Sequence, residues 1–355
     1  MVAKTNESVV RLRRVIPRMH GQRIGVLGDL MLDRYMWGTA SRLSPEAAVP
    51  VVDFVEQSEC LGGAGNVAAN IAALGARVEV FGVVGSDEAG VAFLGCLEAA
   101  GIVRRGVVAE AKRVTTVKTR IIARHQQVVR VDRERREALR SETEEKLLRT
   151  LFAALKQLDA LVLSDYDKGL ITDAFADRVL NACHRLKVPV FVKPKTSRLY
   201  AYRGARVIVC NAKEAGFFVT RSLGDEKSME EAGRALLAHF GCSAVVITRG
   251  EKGMSVVEET SAGQLHIPAI SSEVTYARVG QAGVERGATG RQVFDVTGAG
   301  DTVLSVLALA VAASANVRDA AVIANAAAGV VVGKLGTASV TAEELAAALA
   351  ESCGT

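Results

Sequence analysis

Phe294-Asp295-Val296-Thr297-Gly298-Ala299-Gly300-Asp301-Thr302 runs straight into the apolar stretch Val303 to Ala315. A glycine turn that opens an apolar helix has a definite physical meaning. Gly298, Ala299 and Gly300 can point several backbone N–H groups at one spot, and the helix dipole adds to them, so the turn is a candidate anion site. Asp301 falls in the first helical turn, beside that anion. A carboxylate there either stabilises the dipole as an N-terminal acid or takes a proton from a hydroxyl that attacks a phosphoryl group. The apolar stretch after it reads as a buried helix.

Upstream, short apolar runs alternate with helical patterns. Ile24 to Leu30, Val78 to Gly85, Ala160 to Ser164, Val188 to Val192, Val207 to Cys210 and Ala244 to Thr248 read as strands buried on both faces. Helical periods lie between them at Asp87 to Ala100, Glu142 to Gln157 and Ser228 to His239. This alternation predicts an α/β fold, a mostly parallel Rossmann-type sheet flanked by helices. Residues 34–59 and 115–132 mix polar and apolar positions and are expected as exposed antiparallel strands, paired as a small β-sheet lid outside the core. No internal repeat or long linker appears, so residues 1–355 read as one domain carrying that lid. Gly62 to Gly75 reads as a glycine loop opening an Ala/Asn-rich helix. Residues 271–290 lack any period and read as a flexible loop just ahead of the opening motif.

Bulk properties narrow the class. At 355 residues the chain can hold one large domain with an appendage. Hydrophobic residues make up 49% and charged residues 23%, which excludes a disordered chain. A net charge of +5 suits an anionic substrate. The densest basic runs, at Arg11 to Arg14 and Arg133 to Arg136, lack interleaved aromatics and read as solvated faces, so no nucleic-acid partner is expected. Six scattered cysteines without a Cys-x-x-Cys pair read as reduced thiols of a cytoplasmic protein, with no zinc site. No apolar run reaches about 18 residues, so no membrane span is expected, and no signal-peptide core is present.

The string Asp295 to Asp301 closely resembles the second signature of the ribokinase/PfkB family of carbohydrate kinases. Gly62-Gly63-Ala64-Gly65-Asn66-Val67-Ala68, continuing through Asn70 to Leu74-Gly75, resembles the first. The resemblance implies a ribokinase-like fold, ATP as phosphoryl donor and Mg2+ as its counter-ion. It implies that Gly298, Ala299 and Gly300 hold the transferred phosphoryl group and that Asp301 is the base. Gly62 and Gly63 would let backbone approach the sugar, and Asn66 matches the position that contacts sugar hydroxyls. Asn70, one turn further on, reads as a packing residue. Asn211-Ala212-Lys213-Glu214 resembles the Asn-x-x-Glu motif near the nucleotide phosphates, with Glu214 acting on Mg2+ through water. Taken alone, it is a helix start. Thr248-Arg249-Gly250-Glu251-Lys252-Gly253 resembles the nucleotide-binding turn, with Thr248, Gly250 and Gly253 at its fixed positions. Taken alone, it is a hairpin loop. Asn325 to Gly329 resembles the adenine-side wall, or else is close helix packing.

A further resemblance narrows the acceptor. Gly28 to Gly38 and Ser41 to Val52 look like the kinase domain of the D-glycero-D-manno-heptose 7-phosphate kinases, as do Thr116 to Arg120 and Arg124 to Asp132. This implies transfer to O1 of the heptose 7-phosphate, a step toward the lipopolysaccharide inner core, and a homodimer through the lid strands. Asp29, Asp33 and Asn66 are then the hydroxyl readers. Lys118, Arg120, Arg124 and Arg130 are candidates for the phosphate of the sugar phosphate. No His-x-Gly-His motif occurs, which fits a kinase without a nucleotidyltransferase activity. Ribose, fructose and fructose 6-phosphate stay open as acceptors, and so does a sugar-phosphate sensor without activity. One departure motivates the sensor. The family usually has Asp-Pro-Lys after the mid-chain strand, where this chain has Lys193-Pro194-Lys195. Lys195 keeps the phosphate-side lysine. Lys193 puts a cation where an acid is expected, which reads as a weakening of metal or substrate binding.

Overall fold

The computed structural model describes residues 10–124, 126–198, 201–261, 263–269, 297–334 and 336–352. The loop at 271–290 and the Phe294-Asp295-Val296 half of the glycine motif lie outside the described residues. In chain order, β1 (Arg23–Gly28) is followed by β2 (Leu30–Leu43), β3 (Pro50–Gly63), β4 (Arg77–Gly85) and β5 (Val103–Glu110). β6 (Thr116–Ala123) and β7 (Gln126–Arg133) form a hairpin. β8 (Ala160–Ser164), β9 (Val190–Lys193), β10 (Val207–Asn211), β11 (Ala244–Thr248), β12 (Met254–Glu258) and β13 (Gln264–Ile267) complete the strands.

These strands form two sheets. The larger has the order β13-β12-β11-β10-β9-β8-β1-β4-β5, parallel except for the antiparallel edge β12 and β13. The smaller, order β3-β2-β6-β7, is built from the stretches expected to form the lid. Its centre departs from expectation, because β2 and β6 pair in parallel rather than antiparallel. A parallel pair needs a long crossover, and the stretch through β4 and β5 supplies one. Gly62 and Gly63 also lie on the end of β3, not in a loop. Gly63 has φ +57°, and a Cβ there would stand 2.6 Å from the Asp29 carbonyl oxygen, so no side chain fits.

Helices cover both faces of the large sheet. They are α1 (Ile16–Met19), α2 (Ala64–Ala73), α3 (Glu88–Ala99), α4 (Ser141–Leu155), α5 (Asp173–Leu186), α6 (Ala212–Phe218), α7 (Glu226–Phe240), α8 (Ala299–Ala312), α9 (Val317–Val331) and α10 (Ala342–Ser352). Along β1 and β8 the buried residues alternate between two cores. Ile24, Val26 and Val162 pack with α2, α8 and α9. Leu27, Leu161 and Leu163 pack with α4, α5 and α7. Each fully buried leucine contributes roughly 1.5–3 kcal/mol, which is why strands covered on both faces read as unbroken apolar runs. Helix ends are capped locally. Thr172 accepts from the Phe175 N–H at 3.1 Å to start α5, and Gly241 in the left-handed region ends α7. Among the described residues, no helix is long and apolar enough to cross a membrane.

Candidate active site

The glycine turn opens α8. Gly298 caps the helix at φ +83°, where a Cβ would come within 2.8 Å of Asn66 Nδ2. Asp301 follows in the first turn, 5% exposed. Three side chains donate to its carboxylate. Asn66 Nδ2 reaches Oδ2 at 3.1 Å, while the Tyr166 hydroxyl and Lys193 Nζ reach Oδ1 at 2.5 Å and 2.7 Å. The donors come from α2, the loop after β8 and the end of β9, so the position of Asp301 is set by three separate elements. Asn70 holds α2 to α8. It donates to the Asn66 carbonyl at 2.9 Å and accepts from Thr302 Oγ1 at 3.0 Å, as expected of a packing residue.

A cavity of about 360 Å³ opens in front of Asp301. Its wall includes Asp33, Gly63, Lys118, Arg120, Arg130, Tyr166, Lys193, Asn211, Glu214, Gly298 and Gly300. A second cavity, about 350 Å³, shares Asn211 and Thr248 with the first and adds Ala212, Lys213 and Gly250. Both lie at the carboxyl ends of the parallel strands, where open α/β sheets bind ligands. Asn211 and Glu214 form a reciprocal cap on α6, each side chain accepting the other's backbone N–H at 2.9 Å. Lys195 Nζ lies 3.6 Å from Glu214 Oε1.

Some expected residues are spent elsewhere. Asp29 was expected to read sugar hydroxyls, but its Oδ2 accepts from the backbone N–H groups of Tyr166 and Lys168. It faces a small polar recess with Arg113 and Thr115 instead of the main cavity. Asn66 points at Asp301. Arg124 sits exposed at the β6–β7 turn with φ +49° and does not line the cavity. Asn325 donates to the Pro268 carbonyl, just past β13, at 2.8 Å. Gly253 makes a tight turn against Ile267. Lys193 does not stand apart as a misplaced cation but grips Asp301 directly. Tyr166 was missed altogether. It lies in Ser164-Asp165-Tyr166-Asp167-Lys168-Gly169, a polar run at a strand end with no period to mark it.

Electrostatics follow from burial. Burial, then the Asp301 charge, pushes the Tyr166 phenol far above its ordinary range, so it stays a donor. Burial alone would drive Lys193 toward neutrality, but the Asp301 and Tyr166 oxygens outweigh it and hold the ammonium charged. Both Lys193 and Lys195 also lie over the Tyr166 ring, at 5.3 Å and 5.5 Å. In the lid, Arg120 pairs with Asp33 at 3.1 Å, and Lys118 and Arg130 both reach Asp132. Burial raises the Asp33 carboxyl despite that arginine.

An aspartate at a glycine-opened helix, facing a two-part cavity at the strand ends, is the setting in which the family match falls. Residues 22–344 match the model of the pfkB family of carbohydrate kinases. The chain belongs to the pfkB carbohydrate kinase family. It is 42% identical over 322 residues to the bifunctional protein HldE of Citrifermentans bemidjiense, covering 91% of this chain and 62% of that protein. Identity to the HldE of Methylococcus capsulatus is 43% over 336 residues, covering 94% and 65%. The chain thus spans less than two thirds of these relatives. Among solved structures, phosphofructokinase-2 of Escherichia coli with substrates and products superposes with a TM-score of 0.70 at 17% identity, covering 93% of this chain and 98% of that one. Arabidopsis thaliana ribokinase complexed with ribose and ATP gives 0.67 at 16%, covering 93% and 99%. At such identities the shared feature is the fold, and it is the ribokinase-like fold expected.

Proposed function

We propose that this pfkB kinase transfers the γ-phosphoryl group of ATP to O1 of D-glycero-β-D-manno-heptose 7-phosphate, with Asp301 as base. The observation that carries the reading is the lid side of the cavity. Lys118, Arg120 and Arg130 line the same space as Asp301, so a substrate with its own phosphate could place that group among them and its hydroxyl at the carboxylate. The similarity to HldE proteins supports the same acceptor. Asp301 takes the hydroxyl proton as the sugar oxygen bonds to phosphorus and ADP leaves. The amides at Gly298 to Gly300 stabilise the developing charge, each such donor being worth about 2.7–4 kcal/mol in comparable sites.

Among the described residues, no group of three or more His, Cys, Asp or Glu side chains could hold a metal ion. Glu214 is one of three carboxylates on the cavity wall, with Asp33 and Asp301, and these do not gather into a metal-binding group. That fits an ion which keeps most of its water and sits on nucleotide phosphates, as Mg2+ does. When bound, Mg2+ would offset phosphate charge, with Glu214 reaching it through water. We also propose a homodimer through the lid. Phe54, Val55 and Val131 are exposed on lid strands at 60%, 64% and 54%, and an apolar strand surface of that kind calls for a partner.

The deciding measurement is ADP release with heptose 7-phosphate against ribose, fructose and fructose 6-phosphate. A preference for an unphosphorylated sugar would remove the heptose reading. Binding of heptose 7-phosphate without any ADP release would make the chain a sensor.

A further inference from the structure

Lys193 ends β9, in register with Ser164 at the end of β8. That strand end aims its side chain at the start of α8. Nζ stands 2.7 Å from Asp301 Oδ1, and a Cβ on Gly300 would lie 3.4 Å from the same nitrogen. One ammonium therefore sits between the base and the glycine turn that forms the anion hole. Its side chain is 18% exposed and faces the cavity alongside Asn211, Glu214 and Gly298.

An ion pair kept for stability alone is a poor explanation. Replacing buried pairs with apolar groups is often neutral or stabilising. Lys193 and Tyr166 both sit on Oδ1, and among the described residues Asn66 alone reaches Oδ2, so a lone pair stays open for the substrate's proton. The charged pair has a use if the ammonium gains a second acceptor once nucleotide arrives. It carries three N–H donors, and the hydrogen bond to Asp301 uses one of them, so donors remain for the cavity it lines.

We propose that Lys193 is a catalytic residue that binds the γ-phosphoryl group of the nucleotide and shares its charge between that group and Asp301. The proposal rests on Asp301 being the base. In the transfer, the sugar oxygen–phosphorus bond forms, and the bond from phosphorus to the β,γ-bridging oxygen breaks with its electron pair going to ADP. The hydroxyl proton moves to Asp301. Lys193 stays an ammonium throughout. As the proton neutralises Asp301, negative charge moves toward the transferring group, and the ammonium already lies beside both places. The cation that the family pattern does not anticipate thus acts on the phosphoryl group.

The test compares binding of ADP and of the non-hydrolysable β,γ-imido analogue of ATP by calorimetry, together with steady-state kinetics. Lys193→Met is expected to weaken the analogue about tenfold or more while leaving ADP within about twofold, since only the analogue carries the γ group. Its kcat is expected to fall about 10²–10³-fold, in the range for losing one charge-stabilising donor. Lys193→Arg should restore most of the preference for the analogue. Should the methionine variant fail to fold, the charge-neutral pair Lys193→Met with Asp301→Asn supplies the same binding comparison. Equal weakening of both nucleotides, or a normal kcat in Lys193→Met while Asp301→Asn is inactive, overturns the role of Lys193 alone. Normal turnover in Asp301→Asn overturns the base assignment, and the binding comparison still reads Lys193 independently.

Discussion

At the scale of single residues, the site is a carboxylate held by three donors. Asp301→Asn is expected to lower turnover by about 10²–10⁴-fold with nucleotide binding retained, as read from coupled ADP release and calorimetry. Tyr166→Phe removes one hydrogen bond to a charged group, and kcat should fall about tenfold with little change in KM. Unchanged kinetics in that variant would make Tyr166 a bystander. Asp29 offers a pH test. Burial, and then the nearby Asp165 charge, pushes its carboxyl up to about 6 from 3.8. The folded state therefore holds that proton more tightly than the unfolded chain. Between about pH 4 and 6 the folded protein binds more protons, so stability from this group falls as pH rises and stays lost above that window. Asp29→Asn removes the effect. Its unfolding free energy relative to the parent should rise by about 2.4 kcal/mol from pH 4 to pH 7 in urea titrations. A difference that stays flat with pH would contradict the placement of Asp29.

At the scale of elements, the contact of α2 with α8 sets the position of Asp301. Ser305 Oγ donates to the Val67 carbonyl at 3.0 Å, and Asn70 bridges Asn66 to Thr302. Asn70→Ala leaves buried partners unsatisfied and should cost about 1–3 kcal/mol in chemical unfolding. It should also lower kcat, because Asn66 is the third donor to Asp301. A loss of stability with full kcat would separate packing from positioning. The central strands were legible because burial on both faces leaves an apolar run. β5 was not read as a strand. It is an edge strand whose Arg104 and Arg105 face out, so its pattern looks like a solvated segment. The parallel pairing of β2 with β6 was hidden too, since alternation is the same in either direction.

At the scale of the whole molecule, the lid carries the cations and the exposed apolar surface together. Phe54→Asp on β3 is expected to shift the protein from dimer to monomer in light scattering at micromolar concentration, with its fold retained by circular dichroism. A parent that is already monomeric would end the dimer proposal. Lys168 Nζ also reaches Glu134, just past the end of β7, at 2.6 Å, so an ion pair ties the lid to the body.

Local chemistry sufficed to determine the class of fold, the glycine turn and the place of Asp301, because strand burial, helix starts and backbone freedom are all written in neighbouring residues. Tertiary structure alone decided what surrounds Asp301. Asn66, Tyr166 and Lys193 meet it from elements far apart in the chain, and no periodicity encodes such a meeting. The same holds for Asp29, whose carboxyl is claimed by a loop from another strand end. A side chain's partners depend on how strands are ordered across the sheet, and that order comes from packing the whole core.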